Sequence, residues 1–328
     1  IIWVWEGGDM EYMNTKQAAG IWGISERRVR KLCSDGHIQG VQRASRAWLI
    51  PNDTQKPADQ RMKQRNEYIH PLLNELILSE GPIEQLERID EKLANVNRLR
   101  PLTQGEVARL REEFLIEFTY NTNAIEGNTL TLQETAMVIK EGITIDQKPL
   151  KDHLEVIGHK DAYEYVLQLI QENSPFSERA IKEIHRLVLM NQPQDRGVYR
   201  KLPARIVGAI HEPPQPYLVP VQMEQLLVDY PKMIKNMHPA VAVAVFHLLF
   251  EGIHPFIDGN GRTGRLILNF ELLKQGFPPI NIKFSDRKKY YECFNSFYEI
   301  KCPDMMVQLV ADYVEAELNR YIEILTDR

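Results

Sequence analysis

The sequence predicts a mostly α-helical chain with one short β-hairpin, preceded by a small module of two helices and a two-stranded wing. Three observations predict it. Apolar residues recur at helical spacing through most of the chain, beginning with Leu86, Ile89, Leu93 and Val96. One stretch, "YRKLPARIVGAIHEPPQPYLVP", breaks that pattern with prolines and glycine around a β-branched centre. Residues 13–51 run cap, helix, glycine, cap, helix, Asp-Gly turn and two strands.

The bulk properties are compatible with that reading. A chain of 328 residues that is 43% hydrophobic can bury a sizeable core and suggests roughly two domains. Charged residues are plentiful but the net charge is only −5, which excludes a disordered tail or a globally basic nucleic-acid coat. The charge is uneven. Residues 1–65 carry eleven Lys/Arg against seven Asp/Glu, a local +4 that leaves −9 on the remainder. A basic front on an acidic body points to two jobs. Three cysteines, Cys33, Cys293 and Cys302, lack metal-type spacing and fit a reduced cytoplasm. No apolar run approaches the ~20 residues of a membrane helix.

In order, residues 1–12 ("IIWVWEGGDMEY") have no basic leader and are expected to be a cloning scar or disordered, with a natural start at Met10 or Met13. Residues 13–53 form the small module. Asn14 or Thr15 caps its first helix and Gly23 ends it; Ser25 caps "ERRVRKLC", with Val29, Leu32 and Cys33 inward. Residues 54–100 are a polar linker running into a helix, and residues 101–328 the helical body. In that body "TQGEVARLREEFLIEFTYNTNAIEGN" is an amphipathic helix stopped at Gly127. "PAVAVAVFHLLFEGI" is almost wholly apolar and is expected to be a buried central helix, with "RTGRLILNFELL" as the next one.

Between those two helices lies "HPFIDGNGRTGR", His254 to Arg265. A loop opening at a helix N-terminus is an anion site, because free N–H groups and the helix dipole face outward there. Gly259 and Gly261 let the backbone approach an anion closely. Arg262 and Arg265, three apart, project from one side of the first turn and suit two phosphate groups. Asp258 is a hard oxygen ligand of the kind Mg²⁺ takes on a nucleotide. His254 can accept a proton from a hydroxyl. Together they describe a polyphosphate cradle, a metal and a base.

The stretch resembles the signature of the Fic family, His-x-Phe-x-[Asp/Glu]-Gly-Asn-Gly-Arg-x-x-Arg, and matches every fixed position; the similarity covers roughly residues 100–305. The resemblance implies a Fic-fold helical domain with a β-hairpin flap. It also implies transfer of AMP from ATP, with Mg²⁺, to a Ser, Thr or Tyr hydroxyl of a target protein. On that reading His254 is the base, Phe256 a core anchor and Asp258 the metal ligand. Asn260 with the Gly259 and Gly261 amides holds the α-phosphate region, and Arg262, Gly264 and Arg265 complete the nucleotide site. Gly261 separates this sequence from a phosphate-transferring branch that has lysine there. "TNAIEG" resembles the family's inhibitory motif, so Thr122 and Glu126 are implied to restrain the site. "RIVGAI" with "HEPPQP", after "GVYR", is implied to be the flap, holding a target segment by strand addition and placing Val207 and Gly208 by the nucleotide. "KKYYECFNSFY" lies by the adenine, with Tyr291 and Tyr298 as candidates.

The N-terminal module resembles an excisionase or MerR-type winged helix-turn-helix. Arg27, Arg30 and Lys31 share a face of its second helix beside Arg28, and Arg43 and Arg46 fall on the wing, a set suited to DNA phosphates. The resemblance further implies a homodimer. Alternatives stay open: removal of AMP by the same residues with Glu126 positioning water, transfer of another phosphodiester-linked group, and a DNA-binding regulator that uses the site as a nucleotide sensor.

Overall fold

A computed structural model describes residues 12–22, 25–36, 38–44, 47–52, 54, 78–206 and 208–326. The chain divides into two compact units at Tyr68/Ile69.

In the first unit, helix α1 (Thr15–Trp22) starts where the sequence puts it. Asn14 Oδ1 accepts from the Gln17 N–H and Gln17 Oε1 from the Asn14 N–H, each at 2.9 Å. Helix α2 (Glu26–Ser34) follows. Thr15 Oγ1 donates to Glu26 Oε1 at 2.8 Å, tying the two helix starts together. Strands β2 (Gln42–Ala44) and β3 (Ala47–Pro51) pair antiparallel, and β1 (Tyr12–Met13) adds to the other edge of β3, giving the order β1-β3-β2. Two residues are too few for a strand period, so β1 was not expected; it forms because Met13 pairs with Ile50 and is buried. Met13, Ala18, Trp22, Val29, Cys33 and Ile50 are core residues of this unit. Gly23 lies outside the described residues.

The second unit is helical. Helix α3 (Glu80–Arg98), the helix that the spacing of Leu86, Ile89, Leu93 and Val96 predicts, packs along the last helix α12 (Asp304–Thr326). The Gln85 amide donates to Asp312 at 3.2 Å and Glu315 at 2.9 Å, and Lys92 to Asn319 at 2.7 Å. Helix α4 (Gln104–Ile125) begins with a Thr103/Glu106 capping box. It stops at Gly127, whose φ of +93° only glycine adopts without strain; the Asn128 N–H returns to Asn123 O at 3.0 Å. Helices α5 (Leu132–Glu141), α6 (Leu150–Gln171), α7 (Glu178–Val188) and α8 (Val219–Asn236) follow, and α9 (Pro239–Ile253) packs between α8 and α12. In α9 every residue after Pro239 is buried, so its near-continuous apolar sequence is a central helix. Helix α10 (Asn260–Lys274) follows the short loop after α9, and α11 (Arg287–Ile300) precedes α12.

The expected hairpin differs. Among the described residues of 199–215 no strand is present. Pro203, Pro213 and Pro214 lack the N–H a ladder needs, and a turn closes with Ala209 N–H donating to Ile206 O at 3.2 Å. One buried guanidinium organises this loop instead. Arg200 donates to Leu202 O at 3.1 Å, Pro214 O at 2.6 Å and His254 O at 2.8 Å. The three cysteines are unpaired thiols. No described helix is long and apolar enough to cross a membrane.

Candidate active site

The turn joining α9 to α10 is built by its own side chains. His254 ends α9 with φ +49°, a left-handed conformation uncommon for a residue with a Cβ. Phe256 is fully buried and stacks on His185 of α7, ring centroids 3.6 Å apart. Asn260 closes the turn, its Oδ1 accepting from the Phe256 N–H and its Nδ2 donating to Phe256 O, both at 2.9 Å. The amide assigned from sequence to the α-phosphate region therefore also shapes the loop, using one of its two N–H donors. His185 Nε2 donates to Asp258 O at 2.9 Å, while its Nδ1 accepts from the Gly197 N–H at 2.8 Å. Burial pushes this imidazole down to about 4, so it is neutral and its tautomer is set by those partners.

The first turn of α10 presents Gly261 and Arg265. Arg265 is buried, and its guanidinium is surrounded: Nε donates to Thr122 Oγ1 at 2.7 Å, one terminal nitrogen to Tyr290 Oη at 3.2 Å, and the other to Thr122 O at 3.1 Å and Glu126 Oε1 at 2.7 Å. Glu126 stands at the C-terminal end of α4, and its carboxylate fills the space above Gly261. A carboxylate thus sits at a helix N-terminus, where exposed amides and the dipole favour an anion.

Arg262 goes elsewhere. Three residues around a helix leave an offset of about 60°, and on that side Glu155 of α6 lies 3.2 Å from its guanidinium and Asp258 3.6 Å. The expectation that both arginines face two phosphates from one side is not met; Arg262 does not line the cavity described next. Gly264 faces α9, where a Cβ would meet Glu251 and His247, so it serves helix packing.

A cavity of ≈ 430 Å³ opens over this turn, and its lining includes His254, Gly261, Arg265, Glu126 and Gly208. Tyr291 and Tyr298 of α11 line it too, with Tyr290, Phe294 and Asn295. Tyr298 stacks on His211 at 3.8 Å and donates to Leu248 O at 2.8 Å, so only its ring faces outward. Burial, reinforced by the Arg200 charge, pushes His254 down to about 4. A neutral imidazole at the wall of such a cavity can take a proton from a hydroxyl. Asp258 is 41% exposed and accepts from the Gln192 amide at 2.9 Å. No group of three or more acidic, histidine or cysteine side chains among the described residues could hold a metal. A single exposed carboxylate fits a Mg²⁺ that arrives on a nucleotide and takes most of its ligands from phosphate and water.

The Fic/DOC family profile matches residues 175–272, which contain this turn and its supporting helices. A solved structure of Fic-1 from C. elegans is 31% identical, with TM-score 0.64, covering 73% of this chain and 71% of that one. The chain belongs to the Fic/DOC family. Its Fic fold is also similar to a Fic domain containing signaling protein from Bacteroides thetaiotaomicron, 26% identical with TM-score 0.65, over 74% of this chain and 96% of that one. Among curated proteins it is similar to "Protein adenylyltransferase Fic" of Nematostella vectensis, 35% identical over 248 residues, 74% of this chain and 56% of the relative. The protein of that name from Drosophila ananassae is 31% identical over 74% of this chain and 48% of the relative. The chain spans about half the length of these curated relatives.

Several residues of this Fic site were not named as site residues from the sequence. Tyr290, His247 and Glu251 stand behind Arg265, Arg200 holds the loop, and His185 and Gln192 hold Asp258. Tyr290, His247, Glu251 and His185 show only a helical spacing that reads as core, and Gln192 and Arg200 fall in turn and loop. In the N-terminal unit Arg27, Arg30 and Lys31 are exposed on α2, and Arg30 pairs with Glu26 at 2.7 Å. Arg43 lies over the Trp48 ring at 5.3 Å. Arg46, Val207 and the side chain of Arg28 lie outside the described residues.

Proposed function

We propose that the chain is an autoinhibited protein adenylyltransferase, which moves AMP from ATP to a Ser, Thr or Tyr hydroxyl of a target protein or of itself. The hydroxyl oxygen bonds to the α-phosphorus, the bond to the β-phosphate bridge breaks, pyrophosphate leaves, and His254 takes the hydroxyl proton. Arg265 and the amides at the start of α10 hold the phosphates; positioning and charge neutralisation carry most of such a reaction. Mg²⁺ on Asp258 would neutralise phosphate charge.

The single observation that carries the reading is the 2.7 Å pair between Glu126 and Arg265, directly over Gly261, in the cavity that His254 lines. A γ-phosphate needs that guanidinium, so the carboxylate competes with it. Bound ATP is then excluded or misaligned, and misalignment of about an ångström costs on the order of 10² in rate. Glu126→Gly is therefore expected to raise self- and target-labelling with α-labelled Mg-ATP by about that factor, and Arg265→Ala added to it to abolish the gain. A folded Glu126→Gly protein that labels no faster than wild type overturns the reading. Glu126 and His254 share one cavity, which also suits hydrolytic removal of AMP with Glu126 positioning water; the same variant would then lose removal while gaining transfer.

For residues 13–53 the proposal is DNA contact through Arg27, Arg30 and Lys31, exposed on α2 of a unit with local charge +4. The intact protein is expected to bind duplex DNA with affinity that falls steeply with salt. Replacing the three by Ala should remove binding; no binding by wild type at low salt defeats the proposal.

A further inference from the structure

Behind Arg265 lies a row of buried polar groups that ends at His254. Three of its atoms have no hydrogen-bond partner: His247 Nδ1, Glu251 Oε1 and His254 Nδ1. Buried polar atoms left unpaired are rare and need a reason. His247 and Glu251 are one turn apart on α9, and both crowd the space that Gly264 leaves by lacking a Cβ, with Glu251 Oε1 2.5 Å and His247 Nδ1 2.9 Å from the Cβ position. Glu251 Oε2 lies 3.9 Å from His254 Nδ1.

The direction of the row follows from the chemistry of its ends. Arg265 can only donate, so the Tyr290 oxygen accepts from it at 3.2 Å. The Tyr290 hydrogen then goes to His247 Nε2 at 2.7 Å. Burial and the Arg265 charge push His247 down to about 3, so it is neutral and keeps its one proton on Nδ1, beside Gly264. The imidazole nitrogen that stands beside the Glu251 carboxylate is His254 Nδ1, at 3.9 Å.

We propose that Glu251 is the positioning residue for His254: its ionised carboxylate accepts the Nδ1–H of the imidazole and leaves Nε2 unprotonated toward the cavity. This rests on His254 being the base of the proposed reaction. It adds that the competent tautomer depends on the charge of Glu251. A protonated Glu251 would donate to Nδ1 and put the His254 proton on Nε2, the wrong atom. Burial raises Glu251 to about 8, with Arg265 of α10 lowering it and Glu126 of α4 raising it. The remaining groups facing it are Tyr290 and Tyr298 of α11 and, on its own helix, His247 and His254. The main-chain oxygen of Glu251 lies on the same side of His254 and is the rival acceptor.

The test uses the full chain carrying Glu126→Gly, with and without Glu251→Gln, labelled with α-labelled Mg-ATP across pH 6–9. Without the second change, the rate should rise with pH to a plateau, its midpoint below about 8 because Glu126 is gone. Glu251→Gln should lower kcat on the order of 10²-fold, leave the KM for ATP within about 2-fold and erase that rise. Unchanged kcat and an unchanged pH profile in Glu251→Gln assign the role to the main-chain oxygen and overturn the proposal. Nitrogen-15 shifts of the His254 ring report the tautomer without turnover. If no variant labels, the proposed reaction fails, and the shifts alone decide: a tautomer change with pH in wild type that is lost in Glu251→Gln supports Glu251, and identical spectra refute it.

Discussion

His254 combines three constraints: a left-handed backbone, a largely buried ring and a place on the cavity wall. Backbone strain of that kind costs roughly 1–3 kcal/mol and persists only where the surroundings enforce it; here Asn260, Phe256 and Arg200 do so. Because burial pushes the ring down to about 4, the imidazole stays unprotonated throughout the neutral range. In the Glu126→Gly background, His254→Ala is expected to cut transfer by about 10²–10⁴-fold while ATP affinity, followed by calorimetry, stays close to the parent. Undiminished labelling would remove His254 from the mechanism. The signature residues were legible one by one, because histidine, aspartate, glycine and arginine have no reason to cluster in a core. Their neighbours were not: the Gln192 amide reaches Asp258 from 66 residues away in sequence.

Among the elements, the loop over residues 199–215 departs most from the pattern. Its β-branched residues suggested strands, but prolines delete the donors and Arg200 supplies donors of its own to the carbonyls at both ends. Arg200 is buried with carbonyl oxygens rather than a carboxylate as partners, and burial lowers its pKa. Removing it leaves several carbonyls without a donor, at about 1–3 kcal/mol for each that stays buried. Arg200→Ala is expected to lower the melting temperature and to speed trypsin cleavage after Lys201 and Arg205 about 10-fold or more. An unchanged melt and digest would mean that the loop is held by other contacts. By contrast the helices were readable from their own residues: the Thr103/Glu106 and Thr131/Glu134 capping boxes and the glycine stop at Gly127 are local chemistry.

For the whole molecule, the cluster of buried titratable groups sets a pH dependence of stability. His185, His247 and His254 have folded values of about 4, 3 and 4 against an ordinary 6.5. The folded chain holds them neutral, so their stability is complete above pH 6.5 and is lost as pH falls toward 4, at about 1.4 kcal/mol per unit for each. Glu251 works the other way. Its folded value of about 8 against an ordinary 4.5 gives stability that is full below 4.5 and declines as pH rises to 8. Three groups against one put the optimum of this cluster near pH 6.5. Urea unfolding followed by circular dichroism should show a lower midpoint at pH 5 than at 6.5, and a smaller loss at pH 8. A midpoint at pH 5 equal to that at 6.5 would contradict the burial argued for these histidines.

By itself the sequence determined which segments are helices, which helix is central and which twelve residues form the family signature, because periodicity, caps and residue type are local properties. Only the tertiary structure decided what those residues face. Asn260 turns inward to its own loop, Arg262 to Glu155, and Arg265 to Glu126. The two arginine contacts depend on where a second helix delivers a carboxylate, and the packing of apolar faces sets that separation in space.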